Sequence, residues 1–352
     1  MKIVSVVGAR PQFIKAAPVS KAIERAGYDE YLLHTGQHYD YGMSQVFFEE
    51  LGIREPFINL NIGSGTHAQQ TSQMMMGIET ILLAQKPDLV LVYGDTNSTL
   101  AGAITSVKLG IRLAHVEAGL RSYNRRMPEE HNRRLTDHCS DLLFCPTQTA
   151  VDNLAHESIN EGVRLVGDTM YDAILQFSEL AERQSRILDE LQLKPKSYYL
   201  ATIHRPYNTD NPDILKSILT AFGLAKRRVI FPVHPRTLQA ITHSKILLAE
   251  NVKMIEPVGY LDMLVLEKNS DTILTDSGGI QKEAYFLNVR CLTLRPETEW
   301  LETTVSGWNI LVGTDIEKIV SVLNSYPVEN LPHPQFFGDG NASEKIVGLL
   351  TG

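Results

Sequence analysis

The feature that most constrains the fold of this 352-residue chain is a regular alternation of short apolar runs with longer helical patterns. The first half carries five strand-like runs, at residues 3–7, 31–35, 89–93, 112–116 and 142–145, separated by helical patterns such as 13–26, 66–84 and 99–109. The second half carries four more runs, at 198–202, 229–233, 272–275 and 291–294. Apolar strands that alternate with helices are typical of parallel sheets covered on both faces. We therefore predict an α/β fold.

The length of the chain predicts two such domains, because a single core seldom supports more than about 250–300 residues. A polar, mostly helical stretch at 171–192, followed by Lys194-Pro195-Lys196-Ser197, separates the two sets of strands. We place the domains at residues 1–170 and 171–352, and the last helical pattern, 342–350, is a candidate to pack back on the first domain. Two doubly wound domains in tandem would leave a cleft at the carboxyl ends of both sheets, where ligands bind in such folds.

Composition argues against several functional classes. The formal net charge is −8 and the pI is near 5.8, whereas nucleic-acid binders normally carry a basic balance. Three cysteines without a C-x-x-C spacing predict neither a disulfide framework nor a zinc site, and they fit a reducing cytoplasm. The sequence shows no signal-peptide pattern and no apolar run long enough to span a bilayer. We expect a cytoplasmic protein without a metal, nucleic-acid or membrane partner.

A candidate phosphate-binding loop follows the run at 272–275. Asp276-Ser277-Gly278-Gly279 opens a helical pattern there. Glycines let the backbone approach a phosphate, and the start of a helix offers unpaired N–H groups and a favourable dipole. Glu283, one helical turn further on, can accept hydrogen bonds from sugar hydroxyls. A simpler interpretation is an ordinary Asp276 N-cap followed by a flexible glycine pair.

Three acidic residues form a candidate acid/base cluster. Asp95 follows the run at 89–93, Glu117 ends the run at 112–116, and Glu129 opens a helical pattern. Each has a simpler interpretation: a helix cap for Asp95, an ion pair with Arg121 for Glu117, and a dipole effect for Glu129. Closely spaced carboxylates push their pKa values apart, which permits one acid and one base at neutral pH. Three at one sheet edge therefore indicate proton transfer.

Basic side chains also follow predicted strands. Arg10 and Lys15 come after the first run, in a segment that matches neither G-x-G-x-x-G nor a P-loop. His204-Arg205 and His234 follow two runs of the second half. Such residues can bind a diphosphate, but a surface Arg and Lys and structural histidines would give the same pattern. The missing fingerprints argue against an NAD or ATP cofactor.

The ordered set of these motifs resembles a known family. The motifs are Gly8-Ala9-Arg10-Pro11, Gly94-Asp95-Thr96, His115-Val116-Glu117-Ala118-Gly119-Leu120-Arg121, Pro128-Glu129-Glu130, His204-Arg205 and Asp276-Ser277-Gly278-Gly279. In this order they resemble the non-hydrolysing UDP-N-acetylglucosamine 2-epimerase family, from residue 3 to about residue 313. The resemblance implies the GT-B architecture, with a nucleotide sugar between two Rossmann-like domains, and a cytoplasmic homodimer that needs no cofactor.

The resemblance also implies a role for individual residues. It makes Asp95, Glu117 and Glu129 the acid/base carboxylates, with His204 beside the phosphates or the reacting sugar. The implied substrate-binding residues are Arg10, Lys15, His234, Ser277, Gly278 and Gly279 at the diphosphate, Glu283 at the ribose, Arg295 and Glu299 near the sugar, and Arg121 and Arg205 as further cations. The implied reaction converts UDP-GlcNAc to UDP-ManNAc for surface polysaccharides such as O-antigen or capsule. It proceeds by elimination and re-addition of UDP.

Several positions depart from the family's usual motifs. Ala9 and Gln12 replace the Thr and Glu of Gly-Thr-Arg-Pro-Glu. Pro206-Tyr207 replaces the Arg-Glu of His-Arg-Arg-Glu-Asn, and Trp300 replaces the Arg of Thr-Glu-Arg-Pro-Glu. Tyr39 stands where a basic residue often follows Gln-His, which leaves activation by a second UDP-GlcNAc open.

The substrate has more than one interpretation. The variant motifs look like a branch of the family that includes UDP-2,3-diacetamido-2,3-dideoxyglucuronate 2-epimerases, and Arg205, Arg236 or Arg290 could contact the C6 carboxylate of such a substrate. A GT-B glycosyltransferase or a non-catalytic UDP-sugar sensor would also bind a nucleotide sugar. The three acidic residues favour an epimerase over both of these classes.

Overall fold

A computed structural model describes residues 1–37, 50–325 and 331–351, so Tyr39 lies outside the described residues. The chain divides into two compact units. Unit 1 comprises Met1–Gln176 and Gln335–Gly352, and unit 2 comprises Phe177–Pro334. The boundary near residue 176 falls inside a long helix, Thr169–Gln184.

Unit 1 contains a seven-stranded parallel sheet. Its strands are β1 (Lys2–Val7), β2 (Asp29–His34), β3 (Ile58–Asn59), β4 (Leu89–Tyr93), β5 (Arg112–Val116), β6 (Leu142–Cys145) and β7 (Val163–Leu165). Their order across the sheet is β3-β2-β1-β4-β5-β6-β7. The order reverses between β1 and β4, and such a reversal opens a crevice at the carboxyl ends of the two strands. The loops after β1, β4 and β5 therefore meet at one sheet edge.

The helices of unit 1 cover this sheet. They are Arg10–Arg25, His67–Gln85, Asn97–Lys108, Pro128–Cys139, Gln148–His156 and Ala342–Leu349. Thr66 and Thr96 begin two of them as N-caps, each accepting a backbone N–H three residues further on. The helix Ala342–Leu349 packs against Arg10–Arg25, and the carboxylate of Asp172 accepts the N–H groups at its start.

Unit 2 contains a six-stranded parallel sheet. Its strands are β8 (Tyr198–Thr202), β9 (Arg228–Pro232), β10 (Val252–Ile255), β11 (Thr272–Thr275), β12 (Arg290–Thr293) and β13 (Asn309–Leu311). The order β10-β9-β8-β11-β12-β13 repeats the reversal of unit 1, here between β8 and β11. The helices are Ile187–Glu190, Pro206–Thr209, Pro212–Gly223, Pro235–His243, Tyr260–Asn269, Gly278–Phe286, Leu301–Val305 and Ile316–Ser325.

The prediction of an α/β fold with two Rossmann-like parallel sheets is confirmed. All nine predicted strands are present within one or two residues of the expected bounds. The strands β3, β7, β10 and β13 have only two to four residues and are the edge strands of their sheets, so they lack the buried apolar run that marks a central strand. Among the described residues, no helix has both the length and the apolar character needed to cross a membrane.

Candidate functional site

One candidate site lies at the carboxyl edge of the unit 1 sheet and centres on Glu117. This residue directly follows β5 with a φ of 73°, a left-handed conformation that is uncommon for a residue with a side chain. Its carboxylate is buried and forms a salt bridge with the ammonium of Lys15, from the helix Arg10–Arg25. Glu117 therefore forms this salt bridge with Lys15, whereas Arg121, four residues further on, pairs with Asp137 and Glu157.

Asp95, after β4, also has a cationic partner. Arg133 donates to Asp95 Oδ2 through Nε at 3.2 Å and Nη2 at 2.5 Å, and its Nη1 donates to Glu130 Oε2 at 3.0 Å. The guanidinium is buried, whereas the Asp95 side chain is 26% exposed. Glu129 and Glu130 lie in the first turn of the helix Pro128–Cys139, which also carries Arg133. Glu129 is partly exposed, whereas Glu130 is buried. Arg133 was not among the predicted site residues, although the sequence concentrates arginines here, at positions 121, 125, 126, 133 and 134, as a local anion site would require.

Arg121 belongs to a buried charge network. Its guanidinium donates to Asp137 Oδ2 at 2.7 Å and to Glu157 Oε2 at 2.8 Å. Asp137 Oδ1 lies 2.8 Å from Nδ1 of His115, a residue of β5. Burial by itself raises the pKa of the Asp137 carboxyl, but His115 and then Arg121 lower it below its usual range through hydrogen bonds and charge. The substrate role of Arg121 stays a prediction, and its described contacts lie within unit 1.

Gln12 connects the turn before the helix Arg10–Arg25 with the end of β4. Its Oε1 accepts the N–H groups of Gly8 and Ala9 at 2.9 and 3.0 Å. Its Nε2 donates to Tyr93 O at 2.9 Å and also reaches the hydroxyl of Thr99. An ionised carboxylate only accepts hydrogen bonds, so a Glu at this position could not donate to Tyr93 O or to Thr99 as Gln12 does. Arg10 itself begins its helix and is partly exposed.

Unit 2 has a candidate site of its own, at the carboxyl edge of its sheet. Ser277 is the N-cap of the helix Gly278–Phe286, with its hydroxyl accepting the N–H of Ile280 at 3.5 Å. The interpretation of Asp276 as the N-cap is therefore wrong. A Cβ on Gly278 would lie 2.5 Å from Glu299 Oε1 and 3.2 Å from Trp300 Nε1, so no larger residue fits without movement. Gly279 follows it and is partly exposed.

Asp276 fixes the loop after β8 instead. It is fully buried and accepts the backbone N–H groups of His204 and Arg205 at 3.1 and 3.0 Å. It also accepts Nδ2 of Asn208 at 3.0 Å, and its Oδ1 lies 3.3 Å from Nδ1 of His204. The loops after β8 and β11 are therefore joined through one carboxylate. The imidazole of His204 is 41% exposed at this edge.

The other predicted residues of unit 2 differ in exposure. Glu283 is buried, and Arg295 donates to Glu299 Oε2 at 2.9 Å in a buried ion pair. His234 is exposed and caps the helix Pro235–His243, with Nδ1 accepting the N–H of Arg236 at 3.2 Å.

The helix that follows the loop Ser277-Gly278-Gly279 carries a buried cation, Lys282. The ammonium of Lys282 lies 4.0 Å from the centre of the Trp300 ring, and Lys282 is 1% exposed. Trp300 departs from the family's usual motif, but nothing in the sequence pattern connects it with Lys282.

The two units carry groups suited to different chemistry. Unit 1 has two carboxylates, Asp95 and Glu117, each in contact with a cation. Unit 2 presents the start of the helix Gly278–Phe286, which suits an anion because of its N–H groups and dipole. The first set suits proton transfer and the second suits a phosphate.

Comparisons with known proteins show which family the chain resembles over almost its whole length. The sequence model of the family described as UDP-N-acetylglucosamine 2-epimerase matches residues 21–351. A UDP-N-acetylglucosamine 2-epimerase homolog of Methanococcus maripaludis is 56% identical, covering 99% of each chain. A UDP-2,3-diacetamido-2,3-dideoxy-D-glucuronate 2-epimerase of Pseudomonas aeruginosa is 47% identical, covering 100% of this chain and 99% of that protein.

Solved structures extend the comparison. The crystal structure of the Methanocaldococcus jannaschii UDP-GlcNAc 2-epimerase, in complex with UDP-GlcNAc and UDP, superimposes with a TM-score of 0.95. It is 45% identical, and the match covers 100% of this chain and 99% of that one. A spinosyn rhamnosyltransferase at 13% identity has a TM-score of 0.54, covering 99% and 96% of the two chains, which shows the fold alone. The predicted GT-B-like architecture is confirmed.

Proposed function

We propose, because the chain belongs to the UDP-N-acetylglucosamine 2-epimerase family, that it interconverts UDP-GlcNAc and UDP-ManNAc by inverting C2 of the sugar. The observation that carries the proposal is the buried carboxylate of Glu117, held by Lys15 at the same sheet edge as Asp95. A glycosyltransferase has no need for such a pair of carboxylates, whereas inversion at C2 requires acid/base groups for both faces of the carbon.

The proposed mechanism begins with loss of UDP, because the C2 proton is not acidic in the ground state. The bond between C1 and the phosphate oxygen breaks, and its electron pair leaves with UDP. A carboxylate removes the C2 proton from the opposite face, and the C–H electron pair becomes the C1=C2 double bond of 2-acetamidoglucal. Protonation of the other face of C2 and re-addition of UDP at C1 give the manno epimer. Neither oxidation nor reduction occurs.

In this mechanism, one set of residues transfers protons and another binds UDP. Asp95, Glu117 and Glu129 carry the proton transfers, and the loop Ser277-Gly278-Gly279 binds the diphosphate as it leaves and returns. Backbone N–H groups at a helix start are already oriented, so they stabilise the charge on the leaving UDP without reorganisation. Glu283 lies one turn into this helix, where a carboxylate suits the ribose hydroxyls.

A uronate substrate is the second candidate. The relative from Pseudomonas aeruginosa, named for a 2,3-diacetamido-2,3-dideoxyglucuronate, favours it at 47% identity. The same mechanism would act at C2, and a cation would have to contact the C6 carboxylate. Arg205 is partly exposed beside Asp276 and is the first position to test for this contact.

The experiment is proton NMR of the purified protein in heavy water, with UDP-GlcNAc and the uronate supplied in separate samples. Deuterium at C2 and a manno product from UDP-GlcNAc would support the first candidate, and exchange with the uronate alone would support the second. Glu117→Gln should lower exchange by about 10²–10⁴-fold while UDP still binds. Glu190→Gln, at an exposed carboxylate, is the matched control. Absence of C2 exchange with both sugars would refute the proposal.

The proposed assembly is a homodimer. Three helices of unit 1 that pack side by side expose apolar side chains: Met76 at 63% and Leu83 at 58% on the first, Val107 at 43% on the second, and Leu135 at 50% on the third. Large exposed apolar patches commonly mark an interface. Light scattering should give twice the mass of 39.4 kDa, and Met76→Lys with Leu83→Lys should yield the monomer. A monomeric parent protein would contradict the proposed dimer.

A further inference from the structure

We propose that His115 is a positioning residue: its ring donates one hydrogen bond to Gly94 O and one to Asp137, and it thereby fixes the peptide before Asp95. This inference rests on the proposed function, because Asp95 is one of the proposed acid/base carboxylates. His115 is completely buried in β5, two residues before Glu117, and the proposed mechanism does not use it as an acid or a base.

The direction of the first hydrogen bond is fixed by chemistry. Nε2 of His115 lies 2.7 Å from Gly94 O, and a backbone carbonyl can only accept. The ring must therefore carry a proton on Nε2. This contact reaches from β5 to the loop after the neighbouring strand β4.

The His115 ring is also the donor in the second hydrogen bond. Nδ1 lies 2.8 Å from Asp137 Oδ1. Asp137 Oδ2 accepts Nη1 of Arg121 at 2.7 Å and the N–H of Gly119 at 3.2 Å, which is the pattern of an acceptor-only carboxylate. Two donor N–H groups on one imidazole correspond to its protonated form. His115 and Arg121 then balance the charges of Asp137 and Glu157 inside unit 1.

Gly94 is the point at which this network reaches the proposed site. Its φ is +62°, its N–H donates to Val116 O at 3.0 Å, and its carbonyl accepts His115. A Cβ at Gly94 would lie 3.2 Å from Lys15 Nζ and 3.5 Å from Glu117 Oε1. Gly94 therefore lies between the Lys15–Glu117 pair and Asp95, the next residue. Loss of its bond to His115 would free the peptide that carries Asp95.

Two substitutions separate this role from simple neutralisation of Asp137. The amide nitrogen of a Gln can take the place of Nε2, so His115→Gln keeps the donor to Gly94 O and loses the one to Asp137. The amide nitrogen of an Asn can take the place of Nδ1, so His115→Asn does the reverse. Neither variant carries the positive charge. If His115 only neutralised Asp137, the two variants would be damaged equally, and if it acted only through its hydrogen bond to Asp137, the Asn variant would be the less damaged.

The first experiment measures kcat and KM for the epimerisation, the Kd for UDP and the melting temperature of both variants. We expect His115→Asn to lose about 10²-fold in kcat, a typical cost of misplacing a reacting group by about 1 Å, with the Kd for UDP unchanged. His115→Gln should retain at least tenfold more activity than His115→Asn. His156→Gln, at an exposed histidine of unit 1, should match the parent protein. Equal losses in both variants, or a fall in UDP affinity that parallels kcat, would overturn the proposal.

A second experiment needs no turnover and so separates this proposal from the proposed function. Proton–nitrogen NMR of the parent protein labelled with ¹⁵N-histidine should show two N–H groups on the His115 ring, both slow to exchange with water. The signals are assigned by their absence in His115→Gln. A single ring N–H would overturn the double-donor role, even if the enzyme epimerises its substrate. Two protected N–H groups in a protein without C2 exchange would refute the proposed function and leave the hydrogen-bonding role intact.

Discussion

The ammonium of Lys15 and the carboxylate of Glu117 form a salt bridge in the interior of unit 1, with each side chain less than a tenth exposed. Removal of one partner leaves a buried charge uncompensated, which typically costs about 3–5 kcal/mol. We therefore expect Lys15→Met to lower the free energy of unfolding by about that amount. Urea unfolding followed by circular dichroism measures this loss.

The double variant Lys15→Met with Glu117→Gln provides the control. It has no uncompensated charge, so it should be more stable than Lys15→Met alone, and the difference from additivity gives the coupling between the residues. Independent, additive losses would show that the two side chains do not interact energetically.

Substitution of Gly278 tests the predicted phosphate-binding loop Ser277-Gly278-Gly279. A methyl group there would meet Glu299 Oε1 and Trp300 Nε1, so Gly278→Ala must displace the loop or the segment that carries Glu299. We expect at least a tenfold weaker Kd for UDP by calorimetry. Gly348→Ala is the matched control, because a Cβ at that helical position meets no atom within 4 Å. It should raise stability by up to about 1 kcal/mol and leave the Kd for UDP unchanged. Equal UDP affinities in the two variants would contradict this role of Gly278.

The sequence was sufficient to predict the fold and the sheet edges that carry the candidate residues. Central strands are apolar throughout, and parallel topology then aligns their carboxyl ends, which is why Asp95 and Glu117 could be placed at one edge. The pairing of charges could not be predicted. Lys15 and Glu117 are 102 positions apart, and whether they meet depends on how a helix packs on the sheet. Sequence proximity suggested Arg121 as the partner of Glu117.

Arg133 is expected to orient Asp95. Its planar guanidinium donates to Asp95 and Glu130 at once, a geometry that the ammonium of a lysine cannot reproduce. Arg133→Lys should therefore lower kcat for C2 exchange by about tenfold or more, with little change in the Kd for UDP. Arg134→Lys, at the neighbouring half-exposed arginine, should leave both values unchanged. A loss of UDP affinity in the Arg133 variant would instead indicate a role in binding.

The buried His34 is expected to make the free energy of unfolding depend on pH. Burial lowers the pKa of His34 to about 4, although a hydrogen bond with Asn59 acts to raise it. A histidine in the unfolded chain titrates near 6.5. The unfolded state therefore binds more protons between these values, and the folded protein loses stability as the pH falls from about 6.5 to about 4. The loss from this residue is at most about 3 kcal/mol. His34→Asn keeps an acceptor for the N–H of Gly36 and removes the titrating group, so the free energy of unfolding should vary less with pH in this window. His156→Gln, at an exposed position of unit 1, is the control for replacing a histidine elsewhere. An unchanged slope in the His34 variant would show that other groups govern the acid sensitivity.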